Sequence, residues 1–216
     1  MKTPDRKLNR TRHGQSRRNF LKTSAAFSAA QIVPASVLGA NAPSNRINIG
    51  LIGVGNQSRV DLPSILRLED TQVLAVCDVN RSGVGYYYPD QILGRETAQR
   101  WVNEHYAEKA SRAQFKGCDA YVDFRELLAR SDIDAVAIVV PDHWHALISI
   151  AAANKGIDIY GEKPLARSIV EGRAIVDAAH RNNIVWQMGS WQRSVRHFHR
   201  AAELGRNERI GKGEYV

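Results

Sequence analysis

Residues 47–58, INIGLIGVGNQS, limit what this chain can fold into more than any other stretch. A short apolar run (Ile47, Ile49, Leu51, Ile52) breaks into Gly53-Val54-Gly55-Asn56-Gln57-Ser58, the order in which a buried strand turns sharply into a helix. Gly53 suits the tight turn, and Gly55 lets backbone come within contact of a pyrophosphate. The following helix offers free N–H groups and the positive end of its dipole to that anion. Gly53, Gly55, Asn56, Gln57 and Ser58 are therefore candidate dinucleotide-binding residues. Ser58 stands where Gly or Ala is commoner, but is small enough for close helix–strand packing.

A second apolar run, Val73 to Cys77, follows after one helix-length interval and ends in Asp78. That is the distance at which an acidic residue reaches the adenosine ribose. A carboxylate bonded to both ribose hydroxyls favours NAD and repels the extra phosphate of NADP, although Arg81 nearby could soften the preference and admit NADP.

The formal charge of +8 would suggest a nucleic-acid partner if it were spread over the chain. It is not: residues 1–42 hold eight Lys/Arg against one acid, and residues 43–216 hold twenty-two against twenty-one. No basic, aromatic-laced patch remains for nucleic acid. The leader has a basic start, then Ser16-Arg17-Arg18-Asn19-Phe20-Leu21-Lys22, then an Ala/Ser-rich stretch to about Ala40. It resembles a twin-arginine signal peptide over residues 1–42, which predicts export to the periplasm by the twin-arginine machinery. Cleavage after Ala40 or after Ala42 both remain open. Cys77 in a strand and Cys118 in a loop are read as ordinary thiols, not a disulfide.

Beyond a linker at 41–46, helix and strand patterns alternate. Leu62, Ile65, Leu66 and Leu68 have helical spacing, yet Pro63 lies too deep for a helix starting at Gln57. Either that helix starts near Asp61 or it is kinked. Residues 81–94, with Tyr86-Tyr87-Tyr88, read as a loop whose tyrosines pack a turn or stack on an adenine or sugar. A helix is expected over 95–112, a strand over 119–122 and a helix over 123–129. The apolar run Ala135 to Val140 is the strongest strand, as a parallel strand covered on both faces should be. It stops at Pro141-Asp142-His143-Trp144-His145, and a helix follows to Lys155. A strand over 157–160 breaks at Gly161-Glu162-Lys163-Pro164. Ser168 and Glu171 form a capping box for a helix to Asn182. Another strand, 184–188, ends in Gly189-Ser190-Trp191-Gln192-Arg193, and a helix follows over 195–204.

This alternation predicts an α/β fold with a doubly wound parallel sheet of the Rossmann type over residues 43–190. Ligands of such sheets bind beyond the carboxyl ends of the strands. Gly53/Gly55, Asp78, Pro141–His145, Glu162–Lys163 and Trp191–Arg193 are thus expected on one rim. No metal site is expected: His143/His145 and His197/His199 are spaced to face differently on a helix, and no third ligand is evident.

Gly53-Val54-Gly55-Asn56, Cys77-Asp78, Pro141-Asp142-His143-Trp144-His145 and Glu162-Lys163-Pro164, in that order, resemble the Gfo/Idh/MocA oxidoreductases, typified by glucose-fructose oxidoreductase and inositol dehydrogenase. The likeness covers about residues 45–216. It implies hydride transfer between a sugar or polyol and nicotinamide, with Lys163 as the catalytic residue that hydrogen-bonds the reacting oxygen and relays its proton. Pro164 restricts Lys163 to an extended backbone and so aims it. Glu162, Lys163 and Pro141 would line the nicotinamide and its ribose. His145 would lie over the cofactor and orient substrate or ribose, and Gln192 and Arg193 would approach nicotinamide and substrate. Family members continue into a second α/β domain that forms much of the sugar pocket and the oligomer interface. Only its start is expected here, over residues 191–216, so homo-oligomers are expected of the complete protein. Two alternatives stand beside the dehydrogenase: an NAD-dependent glycosidase of related fold, and a non-catalytic dinucleotide-binding module.

Overall fold

The computed structural model describes residues 46–87, 89–109 and 117–212. The expected signal peptide over 1–42 lies outside the described residues, as do Tyr88 and the end of the helix expected to reach Arg112. The first half runs β1 (Ile47–Ile52), α1 (Ser58–Leu66), β2 (Thr71–Cys77), β3 (Gly83–Val84), β4 (Ile92–Leu93), α2 (Arg95–Lys109), β5 (Asp119–Tyr121) and α3 (Phe124–Leu127). It continues with β6 (Ala135–Ile138), α4 (Asp142–Ala153), β7 (Asp158–Gly161), α5 (Ile169–Asn182), β8 (Trp186–Met188), a 3-10 turn at Trp191–Ser194 and α6 (Arg196–Arg206).

Six strands form one parallel sheet in the order β5-β2-β1-β6-β7-β8. From β1 the chain winds outward through β2 to β5, then crosses back to β6 and winds the other way. The strand order therefore reverses between β1 and β6, which opens a crevice at their carboxyl ends. Two buried clusters cover the two faces. Leu51, Val73, Val76 and Ala137 pack with Leu62 and Val102 in one; Ile52, Ala75, Val136 and Ile138 pack with Leu127, Ile148 and Ala178 in the other. Neighbours Leu51 and Ile52 enter opposite clusters because successive side chains of a strand alternate faces.

Local chemistry sets the element ends. Ser168 Oγ accepts from Glu171 N at 3.2 Å, and Glu171 Oε2 accepts from Arg167 N at 3.0 Å. The capping box is thus closed one residue before its usual place. Asn183 ends α5 in the left-handed region at φ 52°, which Asn tolerates better than most residues.

Two expectations are corrected here. Of the two readings of helix α1, the start near Asp61 is the one corrected: the helix starts at Ser58 and keeps Pro63 inside as its sixth residue. Pro63 lies past the first turn, so the helix forgoes the bond that an N–H there would make to the Arg59 carbonyl. Within the expected loop, Gly83 and Val84 pair antiparallel with Leu93 and Ile92, two residues a side being too few to show a period. Tyr86 and Tyr87 at its tip do not pack a turn: both are exposed, edge to face at 5.3 Å.

Candidate functional site

A cleft of about 480 Å³ opens at the crevice between β1 and β6, walled by Gly53 and Gly55, Asp78, Pro141, Glu162 and Lys163. Asn56 and Gln57 also line it. Residues from the carboxyl ends of four parallel strands therefore meet on one rim, as the winding rule requires.

At one end lies the glycine loop. Gly53 has φ +89°, and a Cβ there would stand 2.1 Å from the Val139 carbonyl oxygen and 2.7 Å from its carbon. No side chain fits between β1 and β6 at that point. A Cβ on Gly55 would meet nothing within 4 Å, so that face of the loop is open to a ligand. Gln57, the N-cap of α1, makes no side-chain cap bond. The first N–H groups of the helix are left to an anion, and the positive dipole end points the same way. An open glycine, an uncapped helix start and a neighbouring carboxylate fit a dinucleotide's pyrophosphate and ribose.

Asp78 has two duties. Its Oδ2 accepts from Val54 N and its Oδ1 from Asn80 N, both at 2.8 Å, so it ties the glycine loop to the end of β2. A carboxylate has about four lone-pair sites, which leaves acceptor capacity for ribose hydroxyls. Arg81 is drawn away to Glu96 at 2.6 Å, and Arg95 donates to the Asp78 and Val79 carbonyls. Calorimetric titration should accordingly give an NADP Kd at least ~10-fold weaker than the NAD Kd, since a 2′-phosphate meets the Asp78 carboxylate while Arg81 and Arg95 are engaged elsewhere. Arg81→Ala should leave that ratio unchanged. Near-equal affinities would contradict the assignment.

At the other end stand Glu162 and Lys163, joined to Pro164 through a cis peptide bond. Glu162 is only 5% exposed. Its Oε1 accepts weakly from the Tyr160 hydroxyl at 3.4 Å and its Oε2 from Lys163 N at 3.3 Å. Gly189 makes the room, since a Cβ there would stand 2.6 Å from Glu162 Oε1 and 2.8 Å from the Tyr160 oxygen. From α1, Asp61 joins this group. Its Oδ1 accepts from Gln57 Nε2 at 3.3 Å, while Oδ2 is buried without a hydrogen-bond partner. Burial first and the Glu162 charge second push the Asp61 carboxyl up to about 6, against the opposing pull of Gln57 and Lys163. Burial and the charges of Glu162 and Asp61 likewise raise the Tyr160 phenol above its usual range.

Sequence reasoning missed Asp61 and Gly189. An Asp in the first turn of an amphipathic helix reads as a favourable partner of the dipole, and only the fold brings it within the electrostatic reach of Glu162. Phe124 and Trp144, edge to face at 6.4 Å, form an aromatic wall that no local pattern announced.

Four of the expected site residues do not line the cleft. His145 is fully buried, with Nε2 2.8 Å from the Val140 carbonyl oxygen. About 100° of helix rotation separates it from its neighbour Trp144, which lines the cleft, so it anchors the end of β6 from within the core. Ser58 is 4% exposed, and its Oγ donates to the Gly55 carbonyl at 2.7 Å; it supports the loop from behind. Gln192 and Arg193 lie exposed in the 3-10 turn after β8, outside the cleft walls. Cys77 and Cys118 are both free, and burial pushes each thiol up to about 12, so neither is a ready nucleophile. Among the described residues, no group of three or more His, Cys, Asp and Glu side chains could hold a metal, and no helix is long and apolar enough to cross a membrane.

Comparison with known proteins adds to this geometry. Residues 47–190 match a family described as an oxidoreductase family with an NAD-binding Rossmann fold. The chain is 29% identical over 188 residues to glycosyl hydrolase family 109 protein 1 of Shewanella sp. (strain MR-4), covering 78% of this chain and 38% of that protein. The same figures hold for an alpha-N-acetylgalactosaminidase of Shewanella oneidensis. The chain therefore spans about two fifths of the length of these curated relatives. Its fold is similar to that of apo scyllo-inositol dehydrogenase from Lactobacillus casei, with a TM-score of 0.59 at 20% identity, covering 78% of this chain and 43% of that one. A structure of scyllo-inositol dehydrogenase from the same organism with bound NAD(H) and scyllo-inositol gives 0.59 at 21% identity, covering 77% and 43%.

Proposed function

The chain belongs to the Gfo/Idh/MocA oxidoreductases and carries their NAD-binding Rossmann domain, and from that premise we propose that it is the cofactor half of an enzyme that moves a hydride between a sugar or polyol carbon and nicotinamide. The observation that carries this reading is one cleft with a phosphate cradle at Gly55 and an ammonium at Lys163 on the same rim.

NAD supplies the hydride acceptor when bound. The rest falls to the protein. Gly53, Gly55, Asn56, Gln57 and the helix start hold the diphosphate, Asp78 takes the ribose, and Pro141 and Glu162 line the path towards the nicotinamide. Lys163 hydrogen-bonds the reacting oxygen, stabilises charge there as the alcohol becomes a carbonyl, and passes on the hydroxyl proton. Val139, Val140 and Trp144 keep that part of the cleft largely apolar, which strengthens each of these polar contacts.

A second reading is supported by the glycosidase names of the Shewanella relatives: an NAD-dependent hydrolase of glycosides. The two separate by product. The longest polypeptide the gene encodes, given NAD and a panel of polyols, should build up NADH in proportion to substrate consumed. Release of sugar from an aryl glycoside with no net NADH would favour the hydrolase and overturn the dehydrogenase. Export by the twin-arginine route to the periplasm, suggested by Arg17-Arg18 and the Ala/Ser-rich stretch after them, belongs to the same proposal.

A further inference from the structure

We propose that Asp61, whose Oδ2 is buried without a hydrogen-bond partner behind the cleft, and Glu162, on the cleft wall, together set the cleft's preference between the oxidised and reduced forms of the dinucleotide. The inference rests on the reading that the nicotinamide end lies towards Lys163.

The groups that act on Asp61 come from two elements. Gln57, on its own helix, donates to Oδ1; Glu162 and Lys163, beyond β7, act through their charges; and Tyr160, in β7, feels both carboxyls. Gln57, Glu162 and Lys163 all line the cleft, and Asp61, behind them, reaches it through its hydrogen bond from Gln57. Ionisation of Asp61 adds one negative charge to this group, and protonation removes it. Tyr160 stays neutral throughout, since its ionisation is pushed upward. The oxidised nicotinamide ring is a cation and the reduced ring is neutral. A negative charge beside it selects the oxidised form, and loss of that charge removes the selection. The unpartnered Asp61 Oδ2 is what leaves the carboxyl free to change state without breaking a bond of the fold.

Asp61 ionisation also works against folding. Its carboxyl lies at about 6 in the folded chain, above the ~3.9 of an unfolded one. The stabilisation from the bound proton is complete below the unfolded value and is lost as pH rises through about 6. Asp61→Asn should therefore be at least as stable as the parent above pH 6, so the variant remains a usable probe.

The test is calorimetric titration of the 216-residue chain with NAD and with NADH between pH 5 and 8. The ratio of the NADH Kd to the NAD Kd should rise roughly tenfold across pH 6 in the parent and stay flat in Asp61→Asn. Carbon-13 spectra of labelled aspartate carboxyls should show one resonance titrating near pH 6 that is absent in Asp61→Asn and moves to lower pH in Glu162→Gln, a response that packing alone would not produce. A flat ratio in the parent despite tight binding, or no aspartate titrating above pH 5, overturns the inference and leaves the functional reading standing. Binding of neither form overturns both.

Discussion

Gly53→Ala is expected to abolish NAD binding and to cost the domain about 4 kcal/mol or more, a large share of the 5–15 kcal/mol typical of a folded domain. The conformation alone is strained, since a non-glycine residue at φ +89° costs of order 1–3 kcal/mol. The overlap is worse. The new methyl would stand 2.1 Å from the Val139 oxygen, and Val139 N donates to the Ile52 carbonyl at 2.8 Å as part of the link between β1 and β6. Relief requires parting the two central strands, where both buried clusters meet. Gly55→Ala is the control: with nothing within 4 Å it should leave the urea midpoint almost unchanged, yet weaken NAD binding at least ~10-fold by filling the space a phosphate needs. If the two substitutions behaved alike in both measurements, Gly53 would not be packing the strands and Gly55 would not be receiving a ligand.

Lys163→Ala is expected to lower turnover by roughly 10²–10⁴ in the longest polypeptide the gene encodes, while NAD affinity changes only a few-fold. As an alcohol becomes a carbonyl its oxygen must lose a proton, and Lys163, beside the nearly buried Glu162 on the cleft wall, is the group proposed to relay it, its ammonium giving one proton to water as the nitrogen takes up the hydroxyl proton. Arg in its place would keep the charge but hold its proton too tightly to relay it, so Lys163→Arg should be nearly as slow as the alanine variant. A loss confined to KM, with kcat preserved, would reduce Lys163 to a substrate contact.

The relation between what the chain announces locally and what its packing decides is clearest at particular residues. The glycine loop, Asp78 and Glu162-Lys163 were legible because each needs a special residue at a strand end, and such ends are marked by turn chemistry that local sequence carries. Ser168 and Asn183 are of the same kind: a cap acts within one turn of its own helix. The hairpin of β3 and β4 was not legible, since its pairing joins residues on either side of a tyrosine-rich tip and repeats too few times to show a period.

His145, Ser58, Gln192 and Arg193 show why the rest stayed hidden. Each lies at or just after the end of a strand expected on the rim, but the direction of a side chain depends on helix phase, and a shift of one residue turns it by about 100°. His145 falls on the core side of α4, bonded to Val140, while Asp142 and Trp144 of the same turn face the cleft. Asp61 is the converse. Nothing near it in the chain suggests a carboxyl with a perturbed proton, and its environment comes from Glu162 and Lys163 at the end of another element.

Sequence alone was enough to determine the alternation of strand and helix, the parallel sheet, the glycine loop at the end of its first strand and the family, because these rest on periodicity, turn residues and motif order within short stretches of chain. Tertiary structure alone decided which rim residues face the cleft and which anchor it from behind, and it alone brought Asp61 to Glu162 and Gly189 to Tyr160. The physical reason is range. Backbone conformation follows from neighbours a few residues away, whereas burial, field and the proton affinity of a side chain are set by whatever the fold packs beside it.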